Sequence, residues 1–235
     1  MSKLRIATVV ALAAVALAGC QRNPLIVRRA LCPAVAVPIY AGDITLFQPG
    51  TGPDAGNIDL SATITNVRDT CTESPAMLAT NITYQVVARR SATTGARRVS
   101  LPVFAAVVQG GNLIVSKQIG SVDLDFADGQ ARAVAGASAR GSVARSATTL
   151  PADIQAKINR KRKAGDIDAA TDPMSDPQIR AALRAASFEV LVGFQLTDQA
   201  LGYNVTKEAI IAARSGTGAP TGAPSAGAAA TAGQS

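Results

Sequence analysis

The chain has 235 residues, 48% of them hydrophobic and 17% charged, with a formal net charge of +7. That is too apolar for a disordered polymer, and no apolar run reaches the roughly 18 to 20 residues of a membrane-spanning helix. Histidine and tryptophan are both absent, which excludes His-based triads, zincin motifs and the strongest aromatic stacker.

The chain opens with two cations, Lys3 and Arg5, followed by Ile6 to Ala16, eleven small and branched residues with Thr8 the one hydroxyl, and then Leu17-Ala18-Gly19-Cys20. The run is too short to span a bilayer. Small residues at Ala18 and Gly19 let the backbone lie extended in a peptidase cleft, and Cys20 supplies a thiol. These residues resemble the signal peptide and lipobox of bacterial lipoproteins. The resemblance implies cleavage between Gly19 and Cys20, a thioether-linked diacylglyceryl group on Cys20 and an amide-linked third chain. Two or three acyl chains anchor a protein stably where one does not. It also implies residence on the periplasmic face of the outer membrane, because Gln21 stands where many such proteins carry an inner-membrane retention Asp. With Cys20 consumed, Cys32 and Cys71 remain, and the oxidising compartment that the resemblance implies makes them the expected disulfide. Closing a loop of roughly 40 residues would stabilise the fold by about 4 kcal/mol on the chain-entropy model.

Residues 20–42 read as a lipidated tether and edge segment. Arg22, Arg28 and Arg29 surround Pro24, a charge that suits either anionic head groups beside the anchor or a simple solvated linker. Pro33 and Pro38 hold 31–40 extended and confine it to a sheet edge. Period-two alternation then predicts strands. Ile58, Leu60, Ala62 and Ile64 alternate with Asp59, Ser61, Thr63 and Thr65, and Ile82, Tyr84, Val86 and Ala88 alternate with Thr83, Gln85 and Arg89. Val99 to Val108 and Leu113 to Lys117 form a hairpin across Gly110-Gly111. Val122, Leu124 and Phe126 alternate with Asp123 and Asp125 before an Asp128-Gly129 turn. The return arm, 130–147, has one face of alanines; a helix is open there, although Gly136 and Gly141 favour a strand.

From Leu150 the pattern turns helical. Pro151-Ala152-Asp153 starts a helix to about Lys163, with Ile154 and Ile158 four apart, and Asp172-Pro173 and Asp176-Pro177 start others, the second running to Ala186. Phe188, Val190, Val192, Phe194 and Leu196 give the strongest strand, Tyr203 to Lys207 suggests a short final one, and Glu208 to Arg214 a terminal helical turn. The expected fold is mainly β: an antiparallel immunoglobulin-like sandwich over 43–214, with a helical insertion near 150–186. Residues 215–235, rich in Ala, Gly, Pro, Thr and Ser without charge, are expected to be a disordered tail.

Chemistry is sparse. No Ser-x-x-Lys pair, Walker loop or dinucleotide fingerprint occurs, and Gly136-Ala137-Ser138-Ala139-Arg140 fails the nucleophile-elbow pattern at its last position. Asp166, Asp168, Asp172 and Asp176 are dense enough to suggest calcium, but their spacing fits no EF-hand, and Asp172 and Asp176 serve equally as helix caps. Asp123, Asp125 and Asp128 are the acids that a glycan hydrolase would use, or a solvated face. No catalytic residue, metal or cofactor is expected. Removing Lys3 and Arg5 with the leader leaves 21 cations against 16 acids, a net +5. Lys157, Arg160, Lys161, Arg162 and Lys163, with Arg89-Arg90 and Arg97-Arg98, are the candidate binding cations. Their expected partners are an envelope protein or anionic lipid or lipopolysaccharide; scarce aromatics argue against nucleic acid. The expectation is a non-enzymatic, membrane-anchored envelope-binding lipoprotein, with a carboxylate-based glycan hydrolase or a lipid carrier as alternatives.

Overall fold

The computed structural model describes residues 31–160, 165–167 and 170–215, with side chains of the last helix described as far as Ile211. In chain order the strands are β1 (Ala34–Ala36), β2 (Asp43–Phe47), β3 (Ile58–Glu73), β4 (Met77–Arg90), β5 (Arg97–Gln109), β6 (Leu113–Phe126), β7 (Arg132–Ala144) and β8 (Phe188–Phe194). Between β7 and β8 lie helices α1 (Ala152–Asn159) and α2 (Pro177–Ala185), and after β8 comes α3 (Asp198–Ser215). Two four-stranded sheets, ordered β1-β8-β5-β6 and β2-β3-β4-β7, form the expected sandwich. Every pairing is antiparallel except β1 with β8 at one edge.

The core lies between the sheets and follows the alternation in the sequence. Leu60, Ala62 and Ile64 of β3 and Ile82, Tyr84, Val86 and Ala88 of β4 face Leu101, Leu124, Phe126, Val190, Val192 and Phe194 of the other sheet. Burial of each large side chain is worth about 1.5–3 kcal/mol. The alanine face of 130–147 belongs to a strand, β7, and turns inward: Ala133 is buried and Ala135, Ala137 and Ala139 are partly so. Small residues are needed because the opposite sheet is close. A Cβ on Gly141 would lie 2.7 Å from Val190 Cγ2 and 3.3 Å from Val107 Cγ2. Burial also shifts the Tyr84 phenol upward from its ordinary pKa.

The β3–β4 and β5–β6 hairpins hold the long strands, whereas the Asp128-Gly129 turn does not close the expected hairpin: the return arm, β7, crosses to the other sheet and pairs with β4. Gly110 (φ 64°) and Gly111 (φ 82°) close β5–β6 in the left-handed region that glycine enters freely. Gly110 also lets Arg184 approach, whose Cγ would sit 3.1 Å from an added Cβ. In β3 the pairing with β4 slips between Thr65 and Arg68, where Asn66 takes φ 50°; the bulge keeps Arg68, Thr70 and Thr72 on the face that Ser61 and Thr63 began.

Several expectations are corrected. Tyr203 to Lys207 is no strand but the middle of α3, which starts where Thr197 Oγ1 accepts from Ala200 N (3.2 Å). Its buried Asn204 donates through Nδ2 to Tyr40 O (2.9 Å) and Asp43 O (2.8 Å), and Tyr203 meets Phe47 edge-on at 5.1 Å, so packing against β2 decides for helix. The strand β2 itself, only five residues, is absent from the sequence reading. Leu113–Lys117 and the Val122–Phe126 segment are one continuous strand. The helix from Ala152 ends at Asn159 with Arg160 as its C-cap, short of Lys163.

Candidate functional site

Of the residues singled out in the sequence, the leader and lipobox with Gly19 and Cys20, the tether residues Gln21, Arg22, Pro24, Arg28 and Arg29, then Lys161, Arg162, Lys163 and Asp168, and the tail from 216 on lie outside the described residues. Cys32 and Cys71 form a disulfide with Cα atoms 6.1 Å apart, joining the segment before β1 to β3. Lys157 donates to Gln178 Oε1 (3.1 Å), tying α1 to α2. Asp172 and Asp176 are caps, accepting from Met174 N (2.9 Å) and Gln178 N (2.8 Å). Among the described residues no three His, Cys, Asp or Glu side chains come together as a metal set would require.

The paired arginines separate into different roles, which corrects their reading as two binding doublets. Adjacent residues on a strand point to opposite faces. Arg90 therefore turns into the sandwich, where it is 2% exposed. Its Nε donates to Gln130 O (2.8 Å), Nη1 to Gly95 O (2.8 Å) and Nη2 to Thr93 O (2.7 Å) and Ala127 O (2.9 Å), and the guanidinium lies 5.2 Å from the Phe126 ring centroid. Arg97 grips Asp59 bidentately at 2.7 and 2.6 Å, and these hydrogen bonds hold the Asp59 carboxyl below the usual carboxylate range. Arg98 does the same to Asp125 at 2.6 and 3.0 Å, with the same effect on the Asp125 carboxyl. Asp128 accepts from Gly95 N (2.6 Å). Two of the three acids proposed for glycan chemistry thus have structural partners.

What remains is the outer face of the β2-β3-β4-β7 sheet. Residues opposite one another in register share a face. Successive rows across β3, β4 and β7 read Ser61, Arg89, Arg132; then Thr63, Val87, Val134; Thr65, Gln85, Gly136; Arg68, Thr83, Ser138; Thr70, Asn81, Arg140; and Thr72, Ala79, Ser142. Arg68, Arg89, Arg132 and Arg140 are exposed. Arg140 is steadied by its Nε donating to Asn81 Oδ1 (2.8 Å). Neither β4 nor β7 contains an acid. The two acids in the phase of the face are already satisfied: Asp59 by Arg97, and Asp43 by Lys207 (3.2 Å) and the Thr63 hydroxyl (2.5 Å). Asp69, exposed beside Arg68 on β3, is in the opposite phase, in register with Ile82. Among the described residues, Arg68, Arg89 and Arg132 have no carboxylate partner. The sequence reading singled out Arg89 as a binding cation and not Arg68, Arg132 or Arg140. Strand phase would have joined Arg89, Arg132 and Arg140, whereas Arg68 needs the bulge at Thr65 to be known.

The space between the sheets is filled, with Phe126, Phe194, Leu60, Leu101 and Leu124 all at most 2% exposed. Depressions lie on the outside instead. One of about 300 Å³ runs over Phe104, Ala106, Val108, Ile114 and Leu191, with Lys117 Nζ 5.0 Å from the Phe104 ring centroid. Another of about 250 Å³ separates the β2 end from the start of α3. Among the described residues no helix is long and apolar enough to cross a membrane. In comparison with known proteins, no family model matches the chain, and no curated protein or solved structure is significantly similar to it.

Proposed function

We propose that this chain is a lipoprotein, anchored by acyl chains on Cys20 to the periplasmic face of the outer membrane, whose sandwich binds an envelope component without catalysing a reaction. Leu17-Ala18-Gly19-Cys20 supports the anchor, and a disulfide between the two remaining cysteines suits an exported chain. The observation that carries the binding reading is the outer face of β3, β4 and β7, where Arg68, Arg89 and Arg132 stand without carboxylate partners on a surface otherwise mostly of hydroxyls and amides, crossed by one apolar row at Val87 and Val134. Arginine left unpaired on a rigid sheet is matched to oxyanions. The filled core weighs against a lipid carrier, and the ion pairing of Asp125 weighs against a glycan hydrolase, since a carboxylate locked to arginine is a poor general acid.

Growth on labelled palmitate followed by membrane fractionation tests the anchor. The wild type is expected to carry label and sediment with outer membranes, and Cys20→Ser to lose both. An unlabelled wild type, or a Cys20→Ser variant that fractionates unchanged, refutes the reading.

A further inference from the structure

The face just described has a length and a pattern as well as a charge. Arg132 and Arg140 lie eight residues apart on β7, which at about 3.4 Å per residue puts them about 27 Å apart. Arg89 lies directly opposite Arg132 on the neighbouring strand, and Arg68 shares a row with Thr83 and Ser138 between the two ends. Like charges in direct register oppose strand pairing, so the bare Arg89–Arg132 pair carries a repulsion that a bound anion relieves. Beyond the apolar row of Val87 and Val134 next to the Arg89–Arg132 pair, the surface between the cations offers the neutral donors and acceptors of Thr65, Gln85, Thr83, Ser138, Asn81 and Thr70. Gly136 leaves its middle without a side chain, and an added Cβ there would meet nothing within 4 Å.

From this we infer that the β3-β4-β7 face binds an extended acidic polysaccharide lying along the strands, its repeated carboxylates held by Arg89, Arg132, Arg68 and Arg140 and its hydroxyls by the Thr, Ser, Asn and Gln side chains between them. The inference rests on the envelope-binding reading and adds the ligand class. Arg89 and Arg132 can share one anionic group, but the four arginines, spread over about 27 Å, are too far apart to converge on one small anion. An anionic bilayer would be met by cations beside a continuous inserting apolar surface, whereas the exposed apolar side chains here are Val134 on the second row and Met77 at the far end of β4, separated by four polar rows. Stacking on neutral sugars or on nucleobases needs aromatic rings, and the rows contain none.

The test uses the full-length chain in neutral detergent, titrated with polygalacturonate, trigalacturonate, uncharged dextran, phosphatidylglycerol vesicles and single-stranded DNA. Polygalacturonate is expected to bind, more tightly than the trimer by at least tenfold, with an affinity that falls by roughly tenfold or more between 50 and 200 mM salt as counterions are released. Dextran is expected not to bind. The Arg68→Gln/Arg89→Gln/Arg132→Gln/Arg140→Gln variant, checked for an unchanged melting transition, should lose at least tenfold, and Arg89→Gln/Arg132→Gln alone a large part of that. The charge-matched control Arg180→Gln/Arg184→Gln on α2 should change affinity less than twofold. Equal losses in the control, equal binding of trimer and polymer, or a preference for vesicles or DNA over polygalacturonate would each overturn the inference. Should the four-arginine variant melt early, the Arg89→Gln/Arg132→Gln pair against the control decides alone. Palmitate labelling reads the anchor independently, so loss of glycan binding with fractionation intact removes this inference and leaves the lipoprotein assignment standing.

Discussion

Arg90 shows how far one side chain's direction decides its role. Its guanidinium caps carbonyls from two loops, 91–96 and 127–131, and closes one end of the sandwich. Hydrogen bonds to a charged group are each worth about 1.5–3 kcal/mol, and buried acceptors left unpaired cost their desolvation. Arg90→Met should therefore destabilise the domain by about 3–5 kcal/mol. Arg90→Lys should recover little, because a lysine's three donors do not reproduce the planar fork; chemical denaturation of the three proteins measures both. Most of this was legible in the sequence. Ile82, Tyr84, Val86 and Ala88 set an inward phase that places residue 90 inside and residue 89 outside. Reading Arg89-Arg90 as a surface doublet ignored that phase; Arg97 and Arg98 also point to opposite faces, but both stay exposed and each holds a carboxylate. The acids that the arginines would meet were not legible, since Asp59 and Asp125 are 38 and 27 residues distant from their partners.

Among the elements, the two sheets are joined at β3 and β5 by the Asp59–Arg97 pair. Its hydrogen bonds lower the Asp59 carboxyl, so its contribution is fully present above the unfolded carboxyl range near 4 and is lost as pH falls through the lower folded value. For a partly solvated pair that contribution is about 1 kcal/mol. Asp59→Asn should accordingly cost about 1 kcal/mol at pH 7, and the gap to wild type should close below about pH 4; urea unfolding across that range checks the sign. Long strands with clean alternation, β3, β4, β5 and β8, could be read directly because each buries one continuous face. The short β2 could not, as Asp43–Phe47 offers too few periods. Tyr203 to Lys207 misled for a related reason. Over five residues a strand and a helix are hard to tell apart, and the deciding contact, Asn204 with the backbone at Tyr40 and Asp43, spans more than 160 residues of sequence. The Thr197-Asp198 start was the available clue.

For the molecule as a whole, the disulfide links Cys32, just ahead of the edge strand β1, to Cys71 far along β3. With a sequence separation of 39, chain entropy assigns it about 4 kcal/mol. Cys32→Ser/Cys71→Ser should therefore lower the melting temperature by about 10 °C, taking 2–4 °C per kcal/mol for a domain of this size. Calorimetry should give the same drop for wild type in reductant and no further drop for the double variant. The arginine face was only partly visible in the sequence. Arg89 stood out, but its alignment with Arg132, Arg140 and Arg68 depends on the β4–β7 register and on a one-residue slip in β3.

That covalent link also governs how tension would travel through the protein. β1 is three residues long and holds to β8 by a short parallel ladder, the kind of edge a steady pull could unzip. Strain arriving along the backbone from an N-terminal anchor of the kind proposed would reach Cys32 before β1, and there the sulfur bridge would divert it into a sixteen-residue strand of the opposite sheet. A molecule moored to a moving bilayer while gripping a polymer would thus share the load between both layers of its body, and the weak edge would be spared.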